Sequence, residues 1–244
     1  MQAVLLDVMD VLYVDPAAVR EARAAYRAAV FTDWLARRHI APAHVPVEEA
    51  CRSLQQTLIE QADRAFTPQE VGQQLAVALL GKRLSRENCE ELAEIWSTTA
   101  QKHPPRPLPA ANDVLGLMWD VVRIGVIGPA RDLGGTAWRE VLRADGLAGS
   151  IHHQIWADEI LIALPELRPL LYALASLDVA PQAAAFVSAH GPSLAAAASL
   201  GLACVAVGSV EMRPEAGESI RSVAELPGAI VRLRGRTALR PPLS

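Results

Sequence analysis

Two hydrophobic periodicities follow one another along the chain. Residues 3–6, Ala-Val-Leu-Leu, are apolar without alternation and end in Asp7. A short continuous run of this kind predicts a strand buried on both faces, as in a parallel sheet covered by helices on either side. At Asp15-Pro16 an N-cap precedes proline at the first helical position, and the pattern becomes helical as far as about Gln101. One helix is predicted over 16–38, with Val19, Ala22, Tyr26, Ala29, Val30 and Trp34 along its apolar face. Others are predicted over about 47–65, from the capping box at Thr67-Pro68-Gln69-Glu70 to near Gly81, and over about 86–101.

The stretch His103-Pro104-Pro105-Arg106-Pro107-Leu108-Pro109 cannot continue a helix and marks a boundary. Beyond it strands and helices alternate. Strands are expected at 121–128, 153–157, 183–188 and 203–208, with helices over 110–120, 136–145, 166–178 and 192–200. This alternation predicts a Rossmann-like α/β core with a parallel sheet, assembled from 1–14 and 106–244, and an all-helical cap inserted at 15–105. The tail carries Arg232, Arg234, Arg236 and Arg240 and reads as a frayed terminus or a docking arm.

Composition narrows the classes. The chain has 244 residues, half of them apolar, enough for one large domain or a core with an insert. A net charge of −4 points to neither nucleic acid nor an anionic membrane surface. No uncharged run reaches the ~18 residues of a membrane span. The N-terminal segment lacks the basic region of a signal peptide. Cys51, Cys89 and Cys204 are widely spaced, which disfavours a disulfide framework or zinc site and favours the cytoplasm.

In open parallel sheets, ligands bind beyond the carboxyl ends of the strands. That places Asp7, Gly128-Pro129, the segment after Ala157, and Ser188-Ala189-His190 at the candidate crevice. The stretches that reach it resemble, in order, the motifs of the haloacid dehalogenase-like (HAD) superfamily with a helical cap. Val4 to Tyr13 is similar to the first motif, a hydrophobic strand ending in the nucleophilic Asp. Pro107 to Asp132 resembles the stretch leading to the second, Ala157 to Leu174 the third, and Ala184 to Gly208 the fourth; Ser219 to Ile230 is similar to the closing segment.

The resemblance implies an aspartyl-enzyme hydrolase, with Asp7 as nucleophile, yet the sequence departs from the pattern at the other catalytic positions. Met9 stands where phosphatases carry a general acid, and Asp10 where glycine is usual. Gly128 replaces the hydroxyl residue of the second motif, Leu164 the lysine of the third, and Ser188 and Ala189 the acids of the fourth. Phosphoryl transfer through an aspartyl intermediate needs positive charge around nucleophile and phosphate. Magnesium, the family's metal, needs hard oxygen ligands, and here those are largely absent. A dehalogenase tolerates Met9 and needs no metal, but the loss of lysine at Leu164 removes help for a departing halide.

The sequence therefore implies a HAD-like fold without ordinary phosphatase or dehalogenase catalysis, acting in binding, scaffolding or regulation. The alternative is an active hydrolase of phosphoesters or haloacids using Asp7 with non-standard partners. Asp7 is the catalytic candidate; Met9, Asp10, Gly128, Pro129 and His190 are the substrate-binding candidates; no cofactor and no metal ligand set is assigned. Expected partners are a second copy or another protein, and a small anionic ligand in the cap–core cleft; nucleic acid and membrane are not expected. His190 is an acid–base candidate or an exposed loop residue. Arg131 and Asp132 read as a solvated loop pair, Asp158 and Glu159 as a turn cap or crevice lining, and His152-His153 as a weak metal pair. Trp34, Trp96, Trp119, Trp138 and Trp156 are assigned to packing.

Overall fold

The computed structural model describes residues 1–42, 45–61, 63–129, 132–208 and 217–238. Its strands are β1 (Ala3–Asp7), β2 (Tyr13–Val14), β3 (Arg106–Pro107), β4 (Arg123–Gly128), β5 (His153–Trp156), β6 (Ala184–Ser188), β7 (Ala203–Val207) and β8 (Glu218–Ile220). The helices are α1 (Ala17–Arg37), α2 (Val47–Glu60), α3 (Pro68–Leu80), α4 (Arg86–Ala100), α5 (Ala111–Trp119), α6 (Gly135–Ala144), α7 (Ala157–Ile160), α8 (Leu167–Ser176), α9 (Gly191–Ser199) and α10 (Leu226–Ala238). Six strands form one parallel sheet in the order β5-β4-β1-β6-β7-β8.

β1 lies at the centre of this sheet, which explains its unbroken apolar run. Val4 and Leu6 join the layer under α5, α6 and α10, whereas Ala3 and Leu5 join the layer under α8 and α9. Both faces are covered, so neither set can be polar. Asp7 continues the alternation to the strand's carboxyl end, opposite Ile127 of β4.

Between β2 and β3, which pair antiparallel as a two-stranded ribbon, run the four helices α1–α4. Phe31, Trp34, Cys51, Leu54, Leu58, Leu75, Leu92 and Trp96 form their separate core. The capping box of α3 is present in both directions: Thr67 accepts from the Glu70 amide, and Glu70 accepts from the Thr67 amide. Gly81 ends that helix with φ +64°. Gly72 lets α3 and α4 touch backbone to backbone, because a Cβ there would lie 1.8 Å from the Cys89 carbonyl oxygen.

One expectation is overturned and another is narrowed. The buried stripe of α1 is Val19, Arg23, Ala24, Arg27, Ala28, Phe31, Trp34 and Leu35, not the stripe through Ala22, Tyr26 and Ala29. Ion pairing described below carries the two arginines inside. The tail does not fray at once: α10 runs to Ala238, buries Leu233, pairs Arg232 with Glu218, and sends Arg234 to the carbonyls of Met1 and Val121. Arg240 lies outside the described residues.

Candidate functional site

Asp7, Met9, Asp10, Gly128, Pro129 and His190 all line one cavity of about 500 Å³ at the carboxyl ends of β1, β4 and β6. Ile59, Glu60 and Asp63, at and just beyond the end of α2, close it from the cap side, and Leu164, Pro165 and Pro169 form an apolar wall.

The backbone after β1 turns tightly. The Val8 amide donates to Ile127, and the amides of Leu12 and Tyr13 both donate to the Val8 carbonyl. Asp10 sits in the left-handed region at φ +62°. That conformation explains why glycine suits this position, and aspartate is among the few other residues that adopt it readily.

The carboxylate of Asp7 accepts a 2.9 Å hydrogen bond from the Ser188 hydroxyl. Ser188 in turn accepts from the His190 amide at 3.0 Å, and the His190 Nδ1 lies 2.9 Å from the Ser193 hydroxyl. Ser188 is fully buried, so its hydroxyl is held in this orientation. Ser188 thus gives Asp7 a neutral hydrogen-bond donor and not a second carboxylate. Among the described residues no group of three or more His, Cys, Asp or Glu is placed to hold a metal ion. Asp7, Asp10, Glu60 and Asp63 line the cavity, but among the described residues no three of them are placed to share an ion, and a hard divalent cation asks for several oxygen ligands.

Gly128 is shaped by Trp156. A Cβ on Gly128 would fall 2.1 Å from Cζ3 and 2.4 Å from Cε3 of the indole. The volume that a serine or threonine side chain would take is filled by this ring. Trp156 is held in turn by Trp138, stacked at 5.6 Å between centroids, and Trp138 meets Tyr13 edge-on at 5.2 Å. Tyr13 donates to Asp145 at 2.8 Å; burial first, and then that carboxylate, push the phenol well above its ordinary range.

Beside the cavity lies a charge network that the sequence reading missed. Arg23 and Arg27 of α1 are both 0 % exposed, and Asp132, expected to be solvated, is 3 % exposed. The Asp132 carboxylate accepts from both guanidiniums. Arg23 also pairs with Asp15 at 2.9 Å and donates to the His103 carbonyl at 2.8 Å. Arg27 donates to the Asp132 carbonyl at 3.0 Å, the Trp96 carbonyl at 2.9 Å and Gln55 at 3.2 Å, and its Cζ stands 3.6 Å over the Trp96 ring. Burial pulls the Arg27 pKa down despite Asp132, whereas for Arg23 burial is outweighed by Asp132 and Asp15, and its pKa rises. The pattern signal was two arginines at i and i+4 in an otherwise Ala-rich helix. Arg131 lies outside the described residues.

The remaining candidates disperse. Asp158 accepts from the Gly135 amide at 3.0 Å at the start of α6, and burial raises its pKa. Glu159 pairs with Arg139. His152 stacks on the half-exposed Trp119 at 5.7 Å and its Nδ1 accepts from the Ile124 amide; burial lowers the pKa of its neighbour His153. The other four tryptophans are buried, as expected.

A six-stranded parallel sheet with a helical insert after its first strand, and a carboxylate ending that strand, is a recognisable arrangement. The fold is that of the haloacid dehalogenase-like hydrolases. A 2-haloacid dehalogenase from Pseudomonas syringae pv. Tomato DC3000 superposes with TM-score 0.69 at 21% identity, covering 95% of this chain and 99% of the other. An L-2-haloacid dehalogenase from Xanthobacter autotrophicus, solved with chloropropionic acid covalently bound, gives 0.61 at 14% identity, covering 95% and 98%. A HAD phosphatase from Thermococcus onnurineus gives 0.59 at 19% identity, covering 94% and 98%. No protein-family model and no curated protein sequence matches the chain. Among the described residues no helix is long and apolar enough to cross a membrane.

Proposed function

We propose that this chain keeps the HAD-like fold and its cleft as a binding or regulatory module and has given up ordinary phosphatase and dehalogenase chemistry. The observation that carries this reading is the indole of Trp156 in the space above Gly128. A single missing substrate-facing hydroxyl could be a simple loss; here a stacked, buried aromatic pair leaves no room for a side chain at 128. Two further features support it. Leu164 gives the cavity wall a methyl surface where an ammonium would steady a leaving group. Ser188 engages Asp7 as a donor. Removing one such electrostatic partner from an active centre typically costs ~3–4 kcal/mol of transition-state stabilisation. Losses within one catalytic unit do not add, yet several together leave little rate.

The cleft suits a ligand with an apolar portion against Leu164, Pro165 and Pro169. Its described lining carries Asp7, Asp10, Glu60 and Asp63, with His190 as the one basic side chain among the described residues. This favours a neutral or cationic ligand over the small anion that the family motifs imply. The test is hydrolysis of a panel of phosphomonoesters and 2-haloacids, with and without magnesium, by the native chain and Asp7→Asn. The expected result is no turnover above background from either protein. Turnover by the native chain that disappears in Asp7→Asn overturns the proposal and leaves the active-hydrolase reading, with Asp7 as nucleophile.

A further inference from the structure

A second cavity, of about 340 Å³, opens on another side of the cap–core junction, between α3 and α4 of the cap and the start of α6 in the core. Phe66, Val71, Ala93, Trp96 and Ala137 give it apolar walls. Its polar corner is built over Gly134. A Cβ placed there would lie 2.8 Å from Oδ2 of Asp158 and 3.7 Å from Oγ of Ser97, so carboxylate and hydroxyl converge at one point. Volumes of this size, mostly apolar with a few convergent polar groups, are typical of small-molecule sites.

The charges decide the ligand class. Among the described residues the lining contains Glu90, Glu94, Asp132 and Asp158 and no lysine or arginine. Arg23 and Arg27 already compensate Asp132, Arg86 pairs with Glu90 at 2.7 Å, and the neighbouring Arg139 is engaged by Glu159. Asp158 and Glu94 remain as the acids without an ion pair among the described residues. Asp158 is partly buried, where a charge interacts more strongly than in water.

We propose that this cavity binds a small amphipathic organic cation, its apolar body between Phe66 and Ala137 and its ammonium donating to Asp158 and Ser97. The site is separate from the Asp7 cleft, and the proposal does not depend on whether Asp7 is catalytic. An ammonium there would bridge cap and core, since Ser97 belongs to α4 and Asp158 to the segment after β5.

The experiment is calorimetric titration of the full chain with 2-phenylethylammonium, 2-phenylethanol and phenylacetate, matched in shape and differing in charge. Saturable binding of the ammonium alone is expected. A charged hydrogen bond at this position predicts roughly tenfold weaker binding in Asp158→Asn. That variant keeps an oxygen to accept from Gly135, so it should remain folded. Ser97→Leu, which fills the corner from α4, should weaken binding comparably, and Asp7→Asn should leave it unchanged. Three outcomes overturn the proposal: no saturable heat at millimolar ammonium, equal binding of the alcohol, or binding lost in Asp7→Asn and retained in Asp158→Asn. The last would place the cation in the main cleft instead.

Discussion

At the scale of single residues, the decisive contact is Gly128 against Trp156. A side chain at 128 meets ring carbons closer than real Cβ atoms approach, and the ring cannot retreat, because Trp138 stacks behind it. Gly128→Ser should therefore behave as an over-packing change and cost about 1–3 kcal/mol of stability. Trp156→Leu opens the space, so the two changes together should cost less than the sum of each alone. Urea denaturation of the four proteins in this cycle measures the coupling; strict additivity would mean that the ring does not occupy the slot. Asp158 gives a residue-scale pH prediction. Burial raises its folded pKa, opposed by the Gly135 amide. A carboxyl whose pKa is higher folded than unfolded binds more protons in the native state, so its contribution to stability falls as pH rises. The decline starts near the ordinary aspartate value of about 4 and is complete above the raised folded value. The stability of Asp158→Asn relative to the native chain should accordingly grow from acid to neutral pH. Denaturation midpoints at both ends of that range check the sign.

At the scale of elements, α1 departs most from its sequence pattern. An amphipathic reading turns its apolar stripe inward, but the helix buries Arg23 and Arg27 and leaves Tyr26 at the surface against His103, 5.8 Å away. Burying two guanidiniums is tolerable only because Asp132 and Asp15 neutralise them and carbonyls of Trp96, His103 and Asp132 take the remaining donors. The helix is thereby fixed at once to α4, to the strand-free segment after it, and to the core after β4. Asp132→Asn leaves Arg27 without a counter-charge and Arg23 with Asp15 alone, and should destabilise the chain by about 3–5 kcal/mol. Replacing the network's central members together, Arg27→Met with Asp132→Leu, should recover much of that loss, since an apolar substitute for a buried pair is often neutral. Thermal denaturation of the single and double variants distinguishes a true ion-pair network from mere proximity. Hydrogen exchange in α1 and α4 should accelerate in the single variant, because these helices lose their tie to the core.

At the scale of the whole molecule, legibility follows the range of the forces involved. The unbroken apolar run of β1 and the capping box at Thr67 are local signals, and the sheet and α3 stand where they predict. The cavity-lining set at 7, 9, 10, 128, 129 and 190 was also readable, because strand ends in a parallel sheet converge by topology. The Trp156 ring over Gly128 and the arginines under Asp132 were not, since each joins positions far apart in sequence through packing that periodicity does not encode. Short β8 and the start of α10 were missed for a related reason: three residues of Glu-Ser-Ile carry too little pattern, and arginines along α10 obscure the stripe that buries Leu226, Ile230 and Leu233. One further nonlocal contact, Ser188 to Asp7, bears on a global property, the response to magnesium. A ligand stabilises the folded chain only in proportion to its binding of that state, about 2.7 kcal/mol at a hundredfold excess over Kd. Asp7, with a hydroxyl donating to it and no second carboxylate at 188 or 189, offers such an ion one good ligand. Millimolar magnesium should therefore raise the melting temperature by less than about 4 °C, the shift expected from under 1 kcal/mol in a chain of this size. Ser188→Asp places an acid next to Asp7, so two carboxylates would repel without a cation and the response should become measurable. A large magnesium shift in the native chain, unchanged by Ser188→Asp, would show that the donor set around Asp7 is richer than one carboxylate, and the rebuilt-cleft reading would give way to the metal-dependent one.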